Sequence, residues 1–520
     1  MTESRMKRSK KKVFGVIYGR SLMVILLLIL QVALLVYCVL ALEDYMVWVY
    51  GIFALISLFV VVFIVNSSGE PDFKLVWMVP IVIIPVFGGL LYLFVHTQWT
   101  PKLMNLRHTQ LLAETRPYLA QDQEVRRRLS EINTQVEKLA VYSEATSGYP
   151  IYENTEATYF PLGEDKFEEL KKRLNEAEKF IFLEYFIVEE GIFWDTVLDI
   201  LKRKVQEGVE VRMLYDGMCS IVLLPYSYPK QLREYGIQCK MFSPIRPVLS
   251  THYNNRDHRK ILVIDGKIGF TGGINLADEY INVKERFGHW KDTAVMIRGD
   301  AVKSMTMMFL QMWNITGTQK EDFERYIPSA PFKTPAPGDG FVMPYGDSPV
   351  DQEPMGETVY VDILNRATRY VHIMTPYLIL DYHMIQTLCY AAKRGVEVAI
   401  IMPGIPDKPY AFILAKSYYK ELLTAGVKIY EYTPGFVHAK VFVSDDEACT
   451  VGTINLDYRS LYLHFECGCF FYRNSVVAEV ERDFQETLKK CREIQADEWK
   501  KLKGRTRLAA RILRLFAPLM

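Results

Sequence analysis

Two copies of one pattern constrain this chain more than anything else in its 520 residues. His258-Arg259-Lys260-Ile261-Leu262-Val263-Ile264-Asp265 leads to Gly272-Gly273-Ile274-Asn275. His438-Ala439-Lys440-Val441-Phe442-Val443-Ser444-Asp445 leads to Gly452-Thr453-Ile454-Asn455 at the same offset. Both read H-x-K-x4-D with a Gly-x-x-Asn tail. One copy is a weak signal, because short motifs recur by chance. Two copies with matching tails mark a duplicated unit.

The apolar, β-branched run after Lys260 predicts a buried strand. Residues two apart on a strand share a face, so His258 stands beside Lys260 and His438 beside Lys440. Asp265-Gly266-Lys267 predicts a hairpin turn between 262–264 and 268–271. Asp265 and Asp445 therefore belong at strand ends, with a structural or electrostatic role and no part in proton transfer.

Residue type then suggests the chemistry. A neutral imidazole is a nucleophile and a protonated one an acid. Two histidines can divide these roles when their surroundings separate their proton affinities. Lys260, Lys440, Asn275 and Asn455 supply donors for phosphoryl oxygens. No carboxylate or cysteine cluster accompanies the histidines, so the set suits a phosphate and not a metal. The sequence leaves open which histidine attacks.

The repeat extends beyond the motif. Glu207-Gly208-Val209-Glu210-Val211 parallels Arg394-Gly395-Val396-Glu397-Val398, each behind a helical stretch (193–205 and 384–393). Apolar strands are predicted upstream at 180–188 and 371–380. Alternating strands and helices imply an α/β fold of two pseudo-symmetric halves with mixed sheets, 146–327 and 356–495, whose histidines meet between them. A Pro/Gly-rich linker is expected over 328–355, and a polar, partly helical connector over 101–145.

Residues 1–100 read differently. A basic arm precedes uncharged apolar runs at about 22–42, 45–65 and 75–95, each long enough to span a bilayer. Membrane embedding is expected; two spans or three, and hence the face that carries the catalytic part, stay open. The tail 496–520 places Arg507, Arg511 and Arg514 on one helical face and Leu508, Ile512, Leu515 and Phe516 on the other, as suits an anionic membrane. The net charge of +1 provides no basic footprint for nucleic acid. Eight cysteines, at 38, 219, 239, 389, 449, 467, 469 and 491, show no disulfide or zinc spacing.

The paired motifs resemble the phospholipase D superfamily. Asn255-Arg256-Asp257-His258, Gly272 to Tyr280, Trp290-Lys291-Asp292 and Asn455-Leu456-Asp457-Tyr458-Arg459-Ser460 are similar to bacterial cardiolipin synthases. The resemblance implies a membrane-bound phosphatidyltransferase that needs no cofactor. One phosphatidylglycerol would pass its phosphatidyl group to a histidine, and a second would take it up, giving cardiolipin and glycerol. It also implies that Asp292 and Glu466 orient the histidines. Hydrolysis by the same intermediate, and a non-catalytic membrane scaffold, are the alternatives.

Overall fold

The structure, a computed structural model, describes residues 46–83, 99–244, 254–317, 320–329, 340–351, 353–495 and 503–520, with 33, 37, 88, 89, 92, 93, 497 and 498 besides. The duplication in the sequence becomes a duplication of sheets. In the first half seven strands lie in the order Thr155–Phe160, Ala294–Gly299, Ile268–Gly272, Ile261–Ile264, Phe180–Tyr185, Glu210–Asp216, Gln238–Phe242. The second half repeats that order with Phe341–Asp347, His464–Tyr472, Ala448–Gly452, Val441–Ser444, Tyr370–Met374, Glu397–Pro403 and Lys428–Tyr432, and adds Cys491–Glu493 at the edge. Both sheets are mixed: the last three strands of each matching series run parallel and the hairpin strands antiparallel.

The local chemistry explains the repetition. The helix Ile192–Gln206 buries Phe193, Trp194, Val197, Leu198, Ile200 and Leu201, a stripe at helical spacing. It stops at Gly208, whose φ of +90° suits glycine, with Val209 N–H returning to the Lys204 carbonyl at 2.9 Å. Gly395 does the same in the second half, at φ +95°, with Val396 N–H bound to Ala391 O at 3.1 Å. These are the two Gly-Val-Glu-Val segments: a helix stop followed at once by a buried strand.

The expected hairpin forms, with strands Ile261–Ile264 and Ile268–Gly272. Asp265 lies at its turn with φ +53°, a conformation that Asp tolerates better than most residues. Two readings need correction. Phe341–Asp347, inside the stretch taken as linker, is a buried edge strand paired with His464–Tyr472. Pro344 hid it, and an edge is where a sheet accepts proline. Residues 330–339 of that linker lie outside the described residues. The supposed connector is three helices, Trp99–Thr115, Gln123–Ile132 and Thr134–Thr146, and Leu111, Leu129 and Val136 are fully buried in the shared core. Most of their charged neighbours are exposed or half-buried, although Glu137 is buried beside Val136, and that charge disguised the packing.

Of the expected spans, 22–42 lies almost wholly outside the described residues. The second coincides with the uncharged helix Met46–Asn66, and the third begins in Pro71–Ile83. Among the described residues no helix is long and apolar enough to cross a membrane.

Candidate active site

The two halves are stitched together where the motifs lie. Arg256–Asp257, just before His258, pairs in parallel with His464–Phe465 of the other half. Gly435–Val437, just before His438, pairs in parallel with His289–Lys291. The backbone continues the exchange: His258 N–H donates to Phe465 O at 2.9 Å, and His438 N–H to Lys291 O at 2.7 Å. Lys291 Nζ also binds Asp483, at 2.7 Å, on the helix Ser475–Leu488.

The strand exchange crosses the histidines with their carboxylates. His258 Nδ1 lies 2.8 and 3.0 Å from the two oxygens of Glu466, and His438 Nδ1 lies 2.7 Å from Asp292 Oδ2. Each half thus supplies the carboxylate of the other half's histidine. A carboxylate on Nδ1 fixes the tautomer in which Nε2 carries the reactive lone pair. Both carboxylates are fully buried. Glu466 also accepts from the Thr453 hydroxyl, while Gly273, the equivalent of Thr453, lets Asp292 pack close: a Cβ there would fall 2.0 Å from Asp292 Oδ1.

Burial holds both imidazoles below their ordinary proton affinity. His258 lies well below the usual range, with Lys260 and His464 adding to burial and Glu466 opposing it. His438 is lowered to about 4 by burial and then by Lys440. Burial also lowers Lys260 to about 8 and Lys440 to about 7. Lys260 interacts with both Glu466 and Asp292, and so does Lys440, so the two dyads form one charge cluster. A bound phosphodiester anion would favour the protonated state of an imidazole here.

The remaining motif residues divide into two groups. Lys260 and Lys440 are buried, each with its Nζ bound to the carbonyl of its own histidine. Asn275 donates to Tyr280 Oη at 2.7 Å, the Tyr280 ring lying 5.5 Å from that of His438, and Asn455 donates to Ser460 Oγ at 3.0 Å. Asp265 and Asp445 are elsewhere. Asp265 accepts from the backbone of Glu178, Lys179 and Phe180 at 2.7–2.9 Å, and Asp445 from that of Thr368, Arg369 and Tyr370 at 2.6–3.0 Å. They clamp the hairpin turn to the start of the neighbouring strand, the structural role their position suggested.

A sequence profile described as "Cardiolipin synthase, PLD-like domain" matches residues 170–313 and 360–488, slightly more than half of the chain. The chain belongs to this family. Another profile, "Phospholipase D-nuclease N-terminal", matches residues 52–95. Among relatives of the cardiolipin synthase family, that of Alkalihalophilus pseudofirmus is 32% identical, covering 91% of this chain and 95% of its own. Cardiolipin synthase 2 of Bacillus cereus is 33% identical over 88% and 89%, and an uncharacterized protein of Streptococcus mutans is 51% identical over 88% and 99%. In fold the chain is similar to phosphatidylserine synthase of Haemophilus influenzae, with a TM-score of 0.54, 14% identity, and coverage of 74% of this chain and 98% of that one.

The structure adds residues to this cardiolipin synthase-family site beyond the paired His, Lys and Asn and their carboxylates. Behind His258 runs a buried charge network: Arg259 Nε to Glu184 at 2.7 Å, and Asp257 N–H to Asp216 at 3.0 Å. Burial pushes Asp216 up to about 7. The second half has Ala439 and Val437 in place of Arg259 and Asp257, so the two sides are electrostatically unlike. Lys166, fully buried, reaches Ile274 O at 3.3 Å, and burial lowers it to about 7. Nothing in its sequence context signals that role. His464 is the other omission, and its signal was available, since it sits two residues from Glu466 on one strand. His258, His464 and Glu466 offer ligand-type atoms within 4.8 Å of one another. Glu466 is already engaged by His258 and Thr453, which is the bonding of an orienting carboxylate.

Proposed function

We propose that the chain is a phosphatidyltransferase that makes cardiolipin from two molecules of phosphatidylglycerol. The observation that carries this reading is the pair of crossed, buried His–carboxylate dyads in one charge cluster, within a member of the cardiolipin synthase family. One histidine attacks phosphorus through Nε2. The P–N bond forms as the P–O bond to glycerol breaks, and the other histidine gives its Nε2 proton to the departing alkoxide. That second histidine, now neutral, takes the proton from the terminal hydroxyl of another phosphatidylglycerol. The hydroxyl oxygen attacks phosphorus and the P–N bond breaks, which restores both imidazoles. One phosphodiester replaces another, so the exchange is reversible and consumes no nucleotide.

Lys260, Lys440, Asn275 and Asn455 hold the non-bridging oxygens, where charge builds up. Asp292 and Glu466 keep the imidazoles in register. The test is a product assay: purified protein with phosphatidylglycerol yields cardiolipin and glycerol in equal amounts. Phosphatidic acid as the main product would replace this reading with hydrolysis.

The substrates place the enzyme at a membrane, in our reading the bacterial cell membrane, as a multi-pass protein anchored by residues 1–100. Several features support this. On the Met46–Asn66 helix Val47, Trp48, Phe59 and Phe63 are exposed apolar side chains. Leu508, Ile512, Leu515 and Phe516 on the C-terminal helix Gly504–Leu515 and its cap are 45–60% exposed, while Ala510 and Ala517 face the body. The segment 458–462 touches both regions: Tyr458 bonds Asp72, Phe73 lies edge-on to Tyr458 and Tyr462 at 6.0 Å, and Arg459 binds Leu519 O at 2.9 Å. An apolar, arginine-flanked surface of this kind suits anionic lipid. Replacing Leu508, Ile512 and Phe516 with glutamate in a variant lacking residues 1–98, and so both apolar helices of the anchor, is expected to reduce co-flotation with phosphatidylglycerol vesicles several-fold. Undiminished flotation would remove the tail from the membrane contact.

A further inference from the structure

His464 occupies a place that the pseudo-symmetry makes conspicuous. It lies two residues before Glu466 on the same strand face, with its ring 5.6 Å from that of His258. The other half puts Trp290 at this place, two residues before Asp292, with its ring 5.5 Å from that of His438. The positions are equivalent and the side chains are not. One reactive imidazole has an indole beside it, the other a third imidazole.

His464 is nine-tenths buried, and neither of its ring nitrogens has a hydrogen-bond partner among the described residues. Buried polar atoms of this kind are uncommon and call for a reason. The nearest acceptor is Glu466, whose Oε1 lies 3.9 Å from His464 Nδ1, one small ring rotation from a bond. The charged and titratable groups around the pair are few. Glu466 comes from its own strand, His258 and Lys260 from the first half, Lys440 and Asp347 from the second, and Asp457 from the loop behind Asn455, itself acted on by Lys408.

We propose that His464 is a positioning residue for His258: it shares Glu466 with that imidazole and biases it towards its neutral form. The inference deepens the phosphatidyl-transfer reading and rests on it. With the rings 5.6 Å apart and Glu466 beside both, a proton on one ring disfavours a proton on the other, one of the effects that hold His258 low. Trp290 cannot act in this way on His438. The arrangement therefore makes the two reactive histidines unlike in proton affinity, which two histidines with divided roles require.

The test is the pH profile of kcat/KM for cardiolipin formation in His464→Phe and His464→Asn, with thermal midpoints as the folding control. Phenylalanine keeps an aromatic ring beside His258 and removes the charge; asparagine restores a donor within reach of Glu466. In both variants the limb set by His258 is expected to move to higher pH by roughly half a unit. It is the acid limb if His258 attacks phosphorus and the alkaline limb if it is the acid. His464→Asn should recover part of the turnover lost in His464→Phe. Limbs unmoved in both variants, with rate lost uniformly across pH, would mean a packing role and overturn the proposal. That result leaves the transfer reading intact, which falls only if cardiolipin is not formed or forms without His258 and His438.

Discussion

Alanine at His258 or at His438 lowers the rate of cardiolipin formation by about four orders of magnitude or more. On the proposed mechanism each substitution removes a reacting group and not merely a contact, so kcat is expected to fall while binding of phosphatidylglycerol, which we assign to Lys260, Lys440, Asn275 and Asn455, changes little. The two losses are not additive, because neither half-reaction proceeds with one imidazole. The double variant should be no slower than either single one. The measurement is radiolabelled phosphatidylglycerol conversion at saturating lipid, with thermal melting to show that each variant folds. Activity within tenfold of wild type in either single variant would remove that histidine from the chemistry.

Asp292→Asn and Glu466→Gln are expected to cost between about a hundredfold and ten-thousandfold in kcat, with little change in shape. Each amide keeps the volume of the carboxylate but offers an N–H to Nδ1, which favours the opposite tautomer and misdirects the proton on Nε2. The crossed geometry makes a sharper statement. Glu466→Gln should act only through His258, 208 residues away in the chain, and Asp292→Asn only through His438, 146 residues away. His258→Ala combined with Glu466→Gln is therefore expected to be no slower than His258→Ala alone, and likewise for His438 with Asp292. A further loss in either combination would show that the carboxylate does something other than orient its crossed partner.

How much of this was legible in the chain depends on the range of the forces involved. The hairpins, the helix stops at Gly208 and Gly395, and the placing of Asp265 and Asp445 at strand ends follow from neighbours only a few residues away, so pattern and turn chemistry reach them. The strand starts those two carboxylates clamp lie 85–87 and 75–77 residues away and leave no such trace. The edge strand Phe341–Asp347 escaped because proline and glycine mean a loop by local rules, while an open sheet edge accepts them. The helical character of the connector was legible, but its packing into the core was not, because its buried residues, Leu111, Val125 and Leu129 among them, are few and embedded in charge. His464 escaped because it lies outside the motif, although its alternation with Glu466 was there to be read.

From its order of residues alone, this protein was bound to have two like sheets, each led into by a histidine and a lysine two residues apart. The expected strand begins only after them, at Ile261 and Val441, so 258–260 and 438–440 precede the strands and do not share a strand face. The crossing of Glu466 to His258 and of Asp292 to His438 was decided only in three dimensions. It arises because a short strand from each half hydrogen-bonds into the other, and such pairings between distant segments leave no periodicity in the chain.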